Sequence, residues 1–132
     1  MVTDRSIDPD EIIGQAKTPE SGCVATYVGL IRNTSHDKTV NSVEYIDSDG
    51  RAQIRLEALE REIKMKFPVN EVVLCHRVGK LKVGEINIVF AISAGHRQAA
   101  FAATQYAVDM FKETQPTKKI ETYTDGTTYS LD

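Results

Sequence analysis

The spacing of apolar residues changes several times along the chain, and each change predicts an element. Asp8-Pro9-Asp10-Glu11 reads as a helix start, with Asp8 as the N-cap and Pro9 at the first helical position. That helix runs to about Lys17 and stops at Thr18-Pro19. Cys23 to Ile31 is dense in β-formers and predicts a strand. Residues 32–41 (RNTSHDKTVN) are polar without a period and read as a mobile loop. Alternation returns over residues 42–48, with Val43, Tyr45 and Asp47 on one side of a second strand and Glu44 and Ile46 on the other. From Arg51 to Phe67, Ala52, Leu56, Leu59, Ile63 and Phe67 recur at three- and four-residue steps, the stripe of an amphipathic helix. Glu57–Arg61, Glu60–Lys64 and Glu62–Lys66 are acid-before-base pairs that support it, and Pro68 ends it.

Beyond it, Val72 to Val78 predicts a strand, and Lys80-Leu81-Lys82-Val83 alternates charge with apolar residues up to a turn at Gly84. Ile86, Ile88, Phe90 and Ile92 then give another period-2 face. After Ser93-Ala94-Gly95 the pattern becomes helical to about Glu113 and unusually rich in alanine. Small residues on several of its sides predict a central helix. Residues 119–123 (KIETY) read as a strand turned at Asp125-Gly126, with residues 127–129 returning antiparallel. Three helices among hairpin-like strand neighbours predict an α+β fold, a mainly antiparallel sheet layered with helices, rather than a doubly wound parallel one.

Composition narrows the function classes. A length of 132 residues predicts a single domain, residues 1–132, and 41% hydrophobic with 27% charged residues excludes general disorder. A net charge of −3 argues against nucleic-acid binding, which needs a basic footprint. No apolar run reaches the roughly 18 residues of a membrane span, and the polar, acidic start shows no secretory signal, so a cytoplasmic location is expected. Cys23 and Cys75 form no CxxC and no Cys/His group has zinc spacing, so no metal is expected. Both cysteines read as small core residues, and His76, in a strand pattern, as a structural histidine.

Within this acidic chain, cations stand where elements change. Arg32 follows a strand, His96-Arg97 opens a helix where free N–H groups favour an anion, Lys112 lies in that helix's last turn, and Lys118-Lys119 begins the next strand. Each alone has an ordinary surface explanation; together they point to a phosphate or carboxylate site. His96 and Lys112 lie sixteen residues apart, which is about 24 Å along a helix, so one small ligand does not touch both within one subunit. Either they serve different sites, or a symmetric dimer joins His96-Arg97 of one subunit to Lys112 and Lys119 of the other.

Four segments in order carry a family resemblance: residues 27–33 (YVGLIRN), residues 76–81 (HRVGKL) with Val83-Gly84-Glu85, residues 93–97 (SAGHR) with Ala100-Phe101, and Lys112 with Pro116 and residues 118–121 (KKIE). From about Gly22 to Tyr129 the chain resembles the large, catalytic subunits of molybdopterin synthase, the MoaE family. The resemblance implies an α/β hammerhead-type fold and a homodimer carrying two small ubiquitin-like sulfur-carrier subunits with C-terminal Gly-Gly. It implies conversion of cyclic pyranopterin monophosphate to the molybdopterin dithiolene, with sulfur arriving as a carrier thiocarboxylate and no cofactor or metal required. By motif position, Lys112 and Lys119 would stand at the reacting centre. Arg32, His96 and Arg97 would bind the phosphate and pterin, and Leu30, Ile31, Ile120 and Glu121 would line the pocket. Thr117 and Lys118 stand where members usually carry aromatic residues. The alternative reading is a non-catalytic homologue that holds a pterin phosphate or a ubiquitin-like tail.

Overall fold

In a computed structural model, which describes residues 1–131, the chain forms two sheets and three helices. The elements are β1 (Val2–Thr3), α1 (Pro9–Ala16), β2 (Cys23–Leu30), β3 (Thr34–Ser35), β4 (Lys38–Ile46), α2 (Ala52–Lys66), β5 (Glu71–Arg77), β6 (Gly79–Lys82), β7 (Ile86–Ala94), α3 (Arg97–Thr114), β8 (Lys118–Tyr123) and β9 (Thr128–Leu131). The first sheet has the order β1-β5-β7-β2, antiparallel except for the β1–β5 pair. In the second, β4 is flanked by β8 on one side and by β6 on the other, with β3 paired near its start and β9 closing the far edge. The expected α+β class, mainly antiparallel with three helices, is the one observed.

The helices cover both faces of the first sheet. Leu56, Leu59 and Ile63 of α2 and Ala103, Ala107 and Phe111 of α3 pack on Leu74, Ile88, Phe90 and Ile92. On the opposite face, Ile12 and Ala16 of α1 pack on Cys75, Val89 and Ala91. Strand β7 is therefore buried on both sides, which explains its nearly continuous apolar sequence. The start of α1 follows its sequence signals, since Asp8 Oδ1 accepts from the Asp10 N–H at 3.0 Å and Pro9 occupies the first turn. In α2, Lys64 Nζ reaches 2.8 Å across to Glu71 of β5, tying the helix to its sheet.

Three expectations change. The polar stretch read as a mobile loop contains a hairpin: Thr34 pairs with Thr39 and Ser35 with Lys38 around His36-Asp37. Both turn residues have positive φ, 51° and 61°, as a two-residue type I′ turn demands. Four paired residues are too few for a hydrophobic period to register. Strand β1 has no signature in the sequence, because two residues carry no period at all; its place is fixed by the register Val2 to His76 and Thr3 to Arg77. Helix α3 is buried along one face only. Ala100, Ala103 and Ala107 face the first sheet, while Phe101 is 64% exposed, so in the single chain the helix is not enclosed.

The chain passes between sheets at sharp points. β5 and β6 are nearly contiguous in sequence but lie in different sheets, and the change of direction falls at Gly79, whose φ of +106° a side chain rarely tolerates. This junction and the exit of β2 at Ile31 set the two sheets side by side. A cleft lies between them.

Candidate functional site

The cleft has a volume of about 490 Å³. Tyr27, Gly29, Asn87 and Ile88 of the first sheet form one wall; Val43, Tyr45, Lys119 and Glu121 of the second form the other. Phe111, Lys112 and Gln115 at the end of α3 close one side, with Leu30, Ile31 and Arg32 where the chain leaves β2. Close approach is possible at Gly29 because it lacks a side chain. A Cβ there would lie 2.5 Å from Asn87 Oδ1 and 2.7 Å from Ile88 Cγ1.

Its charged lining is three cations, Arg32, Lys112 and Lys119, against one carboxylate, Glu121. A concave site with this imbalance attracts an anion although the chain as a whole is acidic. Glu121 is buried and well partnered. Ser35 Oγ donates to its Oε1 at 2.8 Å and Tyr123 Oη at 2.9 Å, while Lys119 Nζ lies 3.7 Å from Oε2. His36 Nε2 stands 3.8 Å from Oε1. Burial alone would raise the Glu121 pKa. The hydrogen bonds from Ser35 and Tyr123 and the nearby charges of Lys119 and His36 outweigh it and hold the pKa below its ordinary value. The counter-charge beside Lys119 is thus a carboxylate contributed by the same strand, which the sequence reading of cations at element ends did not include.

Of the nine residues singled out from sequence, six meet in this cleft: Leu30, Ile31, Arg32, Lys112, Lys119 and Glu121. Ile120 lies on β8 between Lys119 and Glu121, and strand alternation turns it to the other face. His96 and Arg97 sit at the opposite end of α3. His96 is its N-cap residue, and both are exposed. The helix runs unbroken from Arg97 to Thr114, so the separation inferred from sequence holds within one chain.

Sequence reasoning missed the polar floor. Asn87 Nδ2 donates to Tyr45 Oη at 2.8 Å, and Thr117 lines the cleft beside them. Burial raises the Tyr45 pKa, outweighing the Asn87 hydrogen bond, so the phenol stays protonated. The one signal available was Asn87 itself, a polar residue between Ile86 and Ile88 in an otherwise apolar strand. Among the described residues no group of His, Cys, Asp and Glu could hold a metal, and no helix is long and apolar enough to cross a membrane.

The model of the MoaE protein family matches residues 2–114 of this chain. The chain belongs to the MoaE family. Among curated relatives, the molybdopterin synthase catalytic subunit of Thermoplasma volcanium is 30% identical over 125 residues, covering 95% of this chain and 91% of its own length. The protein of the same name from Nostoc sp. is 36% identical over 126 residues, covering 95% and 76%. The structure described as molybdopterin synthase from Staphylococcus aureus superposes with a TM-score of 0.91 at 25% identity, over 99% of this chain and 95% of that one. Arg32 and Lys112 lie inside the span that matches the MoaE model, whereas Lys119 and Glu121 lie beyond it. Lys119 and Glu121 thus join Arg32 and Lys112 in one cleft although they lie outside the matched span.

Proposed function

We propose that the chain, acting as one domain, is the catalytic subunit of a molybdopterin synthase, a sulfurtransferase. In this reading it moves sulfur from the thiocarboxylated C-terminus of a small ubiquitin-like carrier to cyclic pyranopterin monophosphate. The observation that carries it is the convergence of Arg32, Lys112 and Lys119 on one cleft in a MoaE-family chain. A phosphate and the oxyanion of an attacked acyl group both require fixed cations, and these three stand just past β2, in the last turn of α3 and in β8. Each transfer forms a carbon–sulfur bond on the pterin side chain as a carbon–oxygen bond at the same carbon breaks, its oxygen staying on the opened phosphate or leaving as water. The carrier's carbonyl–sulfur bond breaks in turn, and a water oxygen takes its place to leave the carrier as a carboxylate. Lys119 and Lys112 flank the reacting carbonyl as general base or as amine nucleophile. Arg32 takes the phosphate, and Leu30, Ile31 and Glu121 shape the entry for the carrier tail.

His96 and Arg97 join this reading through a second copy of the chain. We assign a homodimer in which His96 and Arg97 of the partner subunit complete the substrate site, with two carriers making a heterotetramer. Support comes from the length of α3 and from exposed apolar groups around it: Phe101 at 64%, and Val28 and Leu30 at 38% and 60% on β2, the open edge of its sheet. We place the reaction in the cytoplasm, in keeping with two unpaired cysteines.

The test is reconstitution. The protein is mixed with thiocarboxylated carrier and the pterin precursor, and molybdopterin is measured; no product from the wild type with a cognate carrier overturns the reading. Sedimentation of the free protein as a monomer at the assay concentration overturns the dimer.

A further inference from the structure

Lys112 ends a helix and Lys119 begins a strand, so their meeting in one cleft depends on the turn between them. That turn is strained. Gln115 caps α3 in the left-handed region at φ 45°, ψ 73°, its N–H returning to Phe111 O at 3.0 Å. Two ties hold the residues after it. Arg55 Nη1 donates to Pro116 O at 3.3 Å, and its guanidinium is itself clasped by the Asp49 carboxylate. On the next residue, Thr117 Oγ1 lies 2.9 Å from His76 Nε2.

The second tie has a defined polarity. His76 is fully buried, and its Nδ1 lies 3.0 Å from the Asn87 backbone oxygen, which can only accept. The Nδ1 therefore carries the hydrogen, the neutral ring presents a lone pair at Nε2, and Thr117 donates its hydroxyl hydrogen to it. Burial disfavours the imidazolium and keeps the ring neutral, while the Asn87 carbonyl selects the tautomer. The ring cannot turn away: Tyr45 and Phe111 meet it edge to face, each with centroids 5.0 Å off, at 82° and 85°. His76 belongs to the first sheet, whereas Thr117 leads into the second. The bond ties the first sheet to the segment that enters the second.

We propose that His76 is a positioning residue which, through Thr117, fixes the 115–117 turn and so presents Lys112 and Lys119 to a common reacting centre. The catalytic meaning rests on the function proposed above; the positioning itself does not. Thr117→Val keeps the shape, removes the hydroxyl and leaves the His76 acceptor unpaired, and Thr117→Ser restores the donor. Each protein is treated with an amine-acylating reagent, and modification of Lys119 and Lys112 is mapped by mass spectrometry relative to the exposed Lys17. The valine variant is expected to melt cooperatively, to change the Lys119-to-Lys112 labelling ratio by about threefold or more, and to lose about tenfold in kcat with KM for the carrier within about twofold. The serine variant returns both quantities to wild-type values. Unchanged labelling in the valine variant, or no rescue by serine, overturns the proposal. If the wild type makes no molybdopterin, the functional reading fails, and the labelling ratio and its rescue by serine still decide the positioning.

Discussion

Lys119 Nζ and Glu121 Oε2 stand 3.7 Å apart on the same face of β8, the lysine partly open to the cleft and the carboxylate buried beneath it. The pair explains how a buried acid persists beside an anion-attracting site: its charge is neutralised by the lysine and by hydrogen bonds from Ser35 and Tyr123. If Lys119 works at the reacting carbonyl, Lys119→Ala should remove nearly all molybdopterin formation, by about 100-fold or more in kcat. Lys112→Ala should also lower kcat sharply, whereas Cys23→Ser and Cys75→Ser should retain most activity, all measured in the reconstituted assay.

Acid stability should report Glu121. Its folded-state pKa is depressed below the ordinary 4.5, so the unfolded chain binds the proton more readily. The group's stabilisation is complete above about pH 4.5 and disappears as pH falls through the folded-state value. Calorimetric melts taken stepwise from pH 6 to pH 3 should fall more steeply for the wild type than for Glu121→Gln. Parallel curves would remove Glu121 as the responsible group.

His76 should act at higher pH, also by a depressed pKa but in a base. Folding favours the neutral ring, so its contribution is full above the ordinary 6.5 and is lost as pH drops from there toward the lower folded-state value. His76→Gln should be less stable at pH 8 and should show a flatter dependence of Tm on pH between 7 and 5. The difference between the two slopes is the readout.

Gly29→Ala should be destabilising by about 1–3 kcal/mol in urea unfolding, because the added methyl meets Asn87 and Ile88 on the neighbouring strand. Ala at Gly14, where no atom lies within 4 Å, is the control and should be neutral or slightly stabilising in the interior of α1.

Long periodic segments were legible in the sequence because burial imposes its period on them. The α2 stripe of Ala52, Leu56, Leu59 and Ile63 is buried as its spacing demands, and the Asp8 cap and the Pro68 stop fall where their chemistry puts them. What failed to read was short or two-sided. The Thr34–Ser35 hairpin and the two-residue β1 are too short to show a period. The alternation disclosed one face of β7 through Ile88, Phe90 and Ile92, while Val89 and Ala91 are buried on the other, where Ile86 also packs. At the site, charge at element ends picked out Arg32, Lys112 and Lys119. Asn87, Tyr45 and Thr117 carry no such signal, since what makes them notable is a partner brought from another sheet.

The passage of the chain through Gly79 has a mechanical consequence. The walls of the cleft belong to two hydrogen-bonded plates that Asn87–Tyr45 and His76–Thr117 also tie together, so its width is set by side chains as well as by the backbone. Loss of either tie is then readable without chemistry, as a change in distance between spectroscopic labels placed on Thr26 of one plate and Thr128 of the other.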